Sequence, residues 1–425
     1  MGKTLSEKML ARAAGKDEVT AGEIIDAKVD MAMSHENARL VSKHFKTIGV
    51  PKVWAPERIV LLFDHRVPAE SEETAKGHRV VREFVKEHKL PNFYDMRPGI
   101  CHQIMPEFGH VRPGELIVGT DSHTTSYGAL GAFSTGIGAT EMAAVWATGS
   151  LWLRVPGSML VNIEGKMPKM VMSKDLILDI IGKIGVDGAD YKAMEFQGST
   201  IDAMSISSRM TICNQAMEAG AKAAMVAADD KAVKYVKART KKPFKAVSAD
   251  PDATYETTLL WDASKLSPMV ACPHSPGRTM KVEDVAGVKV DQALLGSCTN
   301  GRLEDIEIAA KMLNGKKVHK DVRLIVVPAS AEVYLDAMKK GYLEILIKAG
   351  GVITNPGCGP CLAAHQGLLA PKEVCISSTN RNFKGRMGSG EADVYLASPA
   401  TVAASAIKGV IADPREFAVS WKGGD

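Results

Sequence analysis

The sequence predicts an α/β protein of about three domains, each built on a mostly parallel sheet. Three observations carry that expectation. The chain has 425 residues, which is two to four domains at roughly 100–200 residues each. Strand-like runs alternate with helical periods along most of its length, the pattern of parallel sheets with crossover helices. Several of the strand runs are apolar throughout, as strands covered on both faces must be.

The first domain is expected over residues 1–157. Arg58-Ile-Val-Leu-Leu-Phe63 reads as a strand buried on both faces. A Glu- and Lys-rich helix follows from Ala69 to about His88, stopped by Pro91. Glu115-Leu-Ile-Val-Gly119 reads as a second strand, leading through a Gly-rich stretch into a helix at Ala139–Thr148. The second domain, 158–270, holds a strand at Met159–Glu164, a helix from Lys174 to Lys183 behind a Ser173 N-cap, and a strand at Lys192–Phe196. Helices near Ser208–Glu218, capped by Ser207 or Ser208, and near Ala228–Ala238 come next. Residues Lys242–Thr258 are polar and irregular, a loop or linker. The third domain, 271–425, returns to clear alternation. Strands are expected at Val290–Leu295, Val322–Pro328, Gly351–Thr354, Val374–Ser378 and Val394–Ala397. Helices are expected at Leu303–Leu313, Ala331–Lys340, Leu343–Ala349, Leu362–Leu369 and Ala400–Lys408.

Composition narrows the function classes. No apolar run reaches the ~20 residues of a membrane span, and the first residues lack the apolar stretch of a signal peptide. A soluble cytoplasmic chain is expected. The net charge is +4, from 53 basic and 49 acidic residues, too small and dispersed for a nucleic-acid footprint. Seven cysteines in a reducing compartment are buried hydrophobes, reactive groups or metal ligands rather than disulfides.

Three cysteines stand in telling places. Cys298 lies in Gly296-Ser-Cys-Thr-Asn-Gly-Arg302, and Cys358 and Cys361 lie in Asn355-Pro-Gly-Cys-Gly-Pro-Cys361; both stretches are expected between a strand and a helix. Turns at the carboxyl ends of parallel strands are where such sheets bind ligands. A closed structural zinc needs four ligands, and no second CxxC or nearby His completes one. Three thiolates suit an iron–sulfur cluster with one iron left uncapped by protein, and such an iron is a Lewis acid. Spacing alone leaves zinc and inert thiols open. Cys101, Cys213, Cys272 and Cys375 read as buried and structural.

Acid–base candidates lie at other strand ends. Asp64–His65 ends the first strand, and Asp121-Ser122-His123 ends the second, with Asp121 and His123 expected on one side and Ser122 opposite. An Asp beside a His fixes its tautomer and raises its pKa, which suits a proton shuttle. A serine hydrolase is discounted, because these neighbours cannot meet in relay geometry and no nucleophile elbow surrounds Ser122. Gly136-Ile-Gly138 is no dinucleotide fingerprint, since Glu141 stands at the third glycine position. Arg381 and Arg386, in Thr379-Asn-Arg-Asn-Phe-Lys-Gly-Arg386, offer two guanidinium forks for carboxylates.

Together these motifs resemble the aconitase superfamily, in particular the large subunits of the archaeal-type isopropylmalate dehydratase and homoaconitase group. The resemblance spans essentially the whole chain. It is most specific at Val118-Gly-Thr-Asp-Ser-His-Thr124, Gly128–Glu141, Gly296–Arg302, Cys358-Gly-Pro-Cys361 and Asn380–Arg386. It implies three aconitase-type domains around an iron–sulfur cleft, with a [4Fe–4S] cluster on Cys298, Cys358 and Cys361. It implies hydrogen-bonded pairs Asp64–His65 and Asp121–His123, a further catalytic His102, and Glu195 as the glutamate beside the cluster-bound water. Ser122, Asn380, Arg381 and Arg386 are implied as substrate contacts, and His35 as another.

The implied reaction is dehydration and rehydration of a small hydroxy di- or tricarboxylate. 2- and 3-Isopropylmalate are the expected pair; homoaconitate or a citraconate-type acid is the alternative. A non-enzymatic RNA-binding relative finds little support in the charge. Single-chain aconitases add a swivelling fourth domain that supplies the carbon base. Neither the helix Ala400–Lys408 nor the tail Trp421–Asp425 replaces it, so a separate small subunit is expected, with no nucleic-acid or membrane partner.

Overall fold

A computed structural model describes residues 2–417 and 419; Trp421–Asp425 lies outside the described residues. Strands and helices alternate, and the strands gather into sheets of two, four, five and seven. The five-stranded sheet runs in the order Asn92–Tyr94, Ile59–Leu62, Met31–Ser34, Leu116–Gly119, Phe133–Gly136, and every neighbouring pair in it is parallel. Ile59–Leu62 and Leu116–Gly119 are buried at every position, which is why they read as unbroken apolar runs.

The chain leaves the central strand Met31–Ser34 on one side for Ile59–Leu62 and returns on the other for Leu116–Gly119. That reversal makes a topological switch point, and a crevice opens beyond the carboxyl ends of these strands. Helices Ala38–Ile48, Glu72–His88 and Ala139–Thr148 pack here around Phe45, Phe84 and Trp146, whose rings contact one another.

The seven-stranded sheet has the same logic. Its parallel part runs Asp393–Ala397, Val374–Ser377, Gln292–Gly296, Arg323–Val327, Val352–Ile353. Here the reversal falls between Gln292–Gly296 and Val374–Ser377. Met269–Ala271 and Thr279–Lys281 extend the edge in antiparallel fashion. Met269–Ala271 straddles the boundary expected at 270 and belongs to this third sheet. The four-stranded sheet, Ala223–Val226, Ala193–Gln197, Ser158–Glu164, Thr257–Asp262, is parallel throughout.

The two switch-point crevices face one another. Backbone joins them directly: Cys358 N–H donates to the Asp64 carbonyl at 2.9 Å and Ile100 N–H to the Ala329 carbonyl at 2.9 Å.

Some local expectations need correcting. No helix forms over 362–369. A short 3₁₀ turn, Gly359–Leu362, ends on Ala363 in the left-handed region at φ 56°, and from there to Leu368 every residue is half-buried or exposed, so no buried apolar stripe exists to hold a helix. Ser173 is a helical residue rather than a cap, because Asp175 accepts the Met172 N–H and supplies the capping contact. Ser205, not Ser207 or Ser208, caps the helix Ile206–Gln215. The stretch after Asp121 is a 3₁₀ helix, Ser122–Leu130, rather than a continued strand.

Candidate active site

The site grows from strand ends. His35 follows Met31–Ser34, Asp64 and His65 follow Ile59–Leu62, and Asp121–His123 follows Leu116–Gly119. From the opposite sheet, Cys298 follows Gln292–Gly296, Cys358 and Cys361 follow Val352–Ile353, and Asn380–Arg386 follows Val374–Ser377.

Asp64 and His65 form a tight pair. His65 Nδ1–H donates to Asp64 Oδ1 at 2.6 Å, and the Cys101 N–H donates to the other carboxylate oxygen at 2.7 Å. Burial alone would depress His65, yet the Asp64 charge and hydrogen bond, helped by Glu36 and Asp121, hold it up at about 10. Its free nitrogen, Nε2, lies 3.7 Å from Asp121 Oδ2. The His35 ring stacks on His65 with centroids 4.2 Å apart. Glu36, not anticipated from the sequence, fixes this turn: its Oε1 accepts the backbone N–H groups of Asp64, His65 and Arg66 at 3.0, 3.0 and 2.9 Å.

Asp121 is shared differently from expectation. Its Oδ1 accepts from His102 Nε2 at 2.7 Å and from the His123 backbone N–H at 2.8 Å. With Nε2 donating, His102 Nδ1 accepts from the Tyr127 hydroxyl at 3.2 Å. Burial lowers the His102 pKa and keeps its ring neutral. The His123 ring lies between two carboxylates: its Nδ1 is 3.5 Å from Asp121 Oδ1, and its Nε2 donates to Glu218 Oε1 at 2.8 Å. Burial works against the His123 charge, but the bonds to Asp121 and Glu218 raise its pKa.

Glu218 is therefore the glutamate brought against the other candidates, and Glu195 is not. Glu195 lies in the strand Ala193–Gln197, where its carboxylate accepts the N–H groups of Leu5 and Ser6 at 3.2 and 3.1 Å and the Tyr255 hydroxyl at 2.9 Å. It caps the first helix, Leu5–Ala14, and meets none of the other candidates. Glu218 also accepts from Arg381 Nε at 2.8 Å, while Arg381 Nη2 donates to Ser122 Oγ at 3.0 Å. Burial pushes the Glu218 pKa up, but His123 and Arg381 hold it below the ordinary carboxylate range. The available signal was slight: Arg209 and Glu218 are the only charges between Ile206 and Glu218, and a buried acid is rarely there without a partner.

The three cysteines are buried and reduced. Gly296 and Ser297 hold left-handed backbone at φ 147° and 73° just before Cys298. A Cβ on Gly296 would come within 2.3 Å of the Val327 carbonyl oxygen, so only glycine permits this approach. Cys298 Sγ accepts from Asn214 Nδ2 at 3.2 Å and lies 3.5 Å from Asn380 Oδ1, which is 3.8 Å from Cys361 Sγ. Asn214 is a further residue missed from sequence. Burial pushes the Cys298 thiol up to about 11. Cys358 and Cys361 share a hydrogen bond that raises the former and lowers the latter.

This donor set fits an iron–sulfur cluster. Three sulfurs converge from two loops, and the amide N–H of Asn214 is the kind of donor that stabilises thiolate and sulfide. Cys101 shares their apolar core, and burial and the charges of Asp64 and Asp121 push its thiol well up. Arg386 Nε is buried without a partner, a donor left for an anion.

The aconitase family profile (aconitate hydratase) matches residues 9–409. A 3-isopropylmalate dehydratase large subunit 1 of Methanopyrus kandleri is 53% identical over 98% of this chain and 100% of its own length. A probable methanogen homoaconitase large subunit of Methanothermobacter thermautotrophicus is 51% identical, covering 97% and 98%. A 3-isopropylmalate dehydratase large subunit of Aquifex aeolicus is 51% identical, covering 98% of both chains. With that match over nearly its whole length, and with parallel-sheet ends that bring Asp–His pairs opposite three cysteines, the chain belongs to the aconitase family.

Proposed function

We propose that this chain is the catalytic large subunit of a 3-isopropylmalate dehydratase, a hydro-lyase that interconverts 2- and 3-isopropylmalate by dehydration and rehydration in leucine biosynthesis. The observation that carries this reading is the facing of a charged histidine–carboxylate network on one sheet by three convergent cysteines on another. In this reading three domains, 1–157, 158–270 and 271–425, surround one cleft.

Cys298, Cys358 and Cys361 would hold a [4Fe–4S] cluster, which when bound supplies a Lewis acid for a hydroxyl and a carboxylate. The chain's own residues do the rest. Arg381, braced by Glu218 and Ser122, presents its remaining N–H edge to a substrate carboxylate, and Arg386 Nε offers a second donor. Fixing a dianion between two guanidinium groups orients the carbon–oxygen bond that must break. His65 stays protonated at neutral pH and carries the proton a departing hydroxide needs. His102, between Asp121 and Tyr127, and His123, against Glu218, set the field around that oxygen. Asn380 stands beside two of the sulfurs, and His35 covers His65.

The base for the carbon-bound proton comes, in this reading, from a separate small subunit. The support is that the relatives matched end to end are themselves named large subunits. No helix among the described residues is long and apolar enough to cross a membrane, in keeping with a cytoplasmic enzyme. The near-equal identity to a homoaconitase large subunit favours homoaconitate as the second substrate reading. Co-expression with the partner subunit and anaerobic assay on both acids tests the proposal. Turnover of 3-isopropylmalate well above homoaconitate is expected. The reverse preference moves the chain to the homoaconitase reading, and turnover of neither overturns both.

A further inference from the structure

Lys174 and Arg209 are both fully buried, at 0% exposed, but they are compensated differently. Arg209 has a carboxylate partner, Asp229, at 2.6 Å. Lys174 has none within ion-pair reach among the described residues; its Nζ makes one hydrogen bond, to the Thr379 carbonyl at 2.7 Å. An ammonium held out of water with a single neutral acceptor is strongly unfavourable unless an anion lies close by.

The anions whose fields reach Lys174 are, in order, Glu218, Cys298, Cys361 and Asp175. Glu218 is already engaged by His123 and Arg381. Asp175 accepts the Met172 and Met269 N–H groups, and burial pushes it up to about 7. That leaves two of the three sulfurs, of which Cys361 also faces Arg386 while Cys298 does not have it as a neighbouring charge. The hydrogen bond to Thr379 places the ammonium against the residue before Asn380, whose Oδ1 lies 3.5 Å from Cys298 Sγ and 3.8 Å from Cys361 Sγ.

We infer that Lys174 is the buried counter-charge of the sulfur cage, placed to stabilise the negative charge that three thiolates and their inorganic group bring into an apolar interior. The inference rests on the iron–sulfur reading above. Two consequences separate it from a role in packing. A fixed cation beside a cluster favours the added electron, so its loss makes the cluster harder to reduce. In the chain without a cluster the same ammonium is fully buried with one neutral acceptor, so removing it leaves the empty chain no less stable.

The test uses the full chain, loaded anaerobically with iron and sulfide, in native, Lys174→Gln, Lys174→Met and Lys174→Arg forms. Gln keeps a donor for Thr379 without the charge, Met removes both, and Arg keeps the charge. The readouts are the cluster midpoint potential, followed by paramagnetic resonance, and denaturant unfolding of the cluster-free chain. The expected result is a roughly tenfold fall in the reduced-to-oxidised ratio at fixed potential for Gln and Met, about 59 mV for a one-electron couple. Arg should stay near the native value, and the cluster-free Met chain should be at least as stable as native. Native potentials in both neutral variants, or an Arg shift as large as theirs, overturn the inference. If Met does not fold, Gln against Arg decides by itself. A native chain that binds no acid-labile sulfide removes the cluster reading itself, a distinct outcome.

Discussion

At the ends of the five-stranded sheet, histidines and carboxylates are bonded largely to one another, whereas at the ends of the seven-stranded sheet three sulfurs face inward with two side-chain amides beside them. On the first side Asp64 holds His65, Asp121 holds His102, and Glu218 holds His123. On the second, Cys298 has Asn214 and Asn380, Cys361 has Asn380, and Arg386 Nε has no partner. The difference teaches which part of the chemistry the protein carries in its own side chains. Proton positions are set by hydrogen bonds within the chain. In the proposed reading, further charge that polarises an oxygen is brought in by a cluster on the sulfur side.

The comparison breaks most completely at a sulfur. Cys298→Ser is expected to lose bound iron, acid-labile sulfide and hydro-lyase turnover together, while far-UV circular dichroism stays native, because the proton-handling side does not depend on Cys298. On that other side, Asp64→Asn should leave the cluster in place and lower kcat by about 10²–10⁴-fold, the range for a lost general acid or base. Metal content read beside steady-state rates separates these two variants.

A smaller effect is expected at Glu218→Gln. A carboxylate beside an imidazolium favours the charged ring, so its removal lets His123 lose its proton at lower pH. The alkaline limb of the kcat/KM profile should move to lower pH, and KM should rise because Arg381 loses its brace. Smallest of all, Glu195→Ala should cost about 1–3 kcal/mol of stability by leaving two helix N–H groups and a hydroxyl unpaired. Its pH–rate profile should be unchanged. Chemical denaturation and a pH–rate series on the two glutamate variants check both statements.

The two glutamates also show where reading the chain succeeds and fails. Strand-end placement of Asp64, His65, Asp121 and the cysteines was legible, since apolar runs followed by Gly-, Asp- and Cys-containing turns mark the carboxyl ends of parallel strands. The Asp64–His65 pairing was legible from adjacency, but which carboxylates meet His102 and His123 was not, because that depends on how separate sheets approach. Glu195 sits at a strand end like the others, yet its strand belongs to the four-stranded sheet and its carboxylate turns to the first helix. Glu218 ends a helical stretch that packs against Ser122–Leu130, and only that packing brings it to His123. The absent helix at 362–369 failed for a local reason: a CxxC loop in left-handed backbone, with no apolar stripe behind it, needs no helix to hold its sulfurs.

The most direct test of the whole account is elemental analysis of the full chain prepared without oxygen. About four iron and four acid-labile sulfide per chain, both absent from Cys298→Ser, is the expected result. Stoichiometric zinc with no sulfide would contradict it.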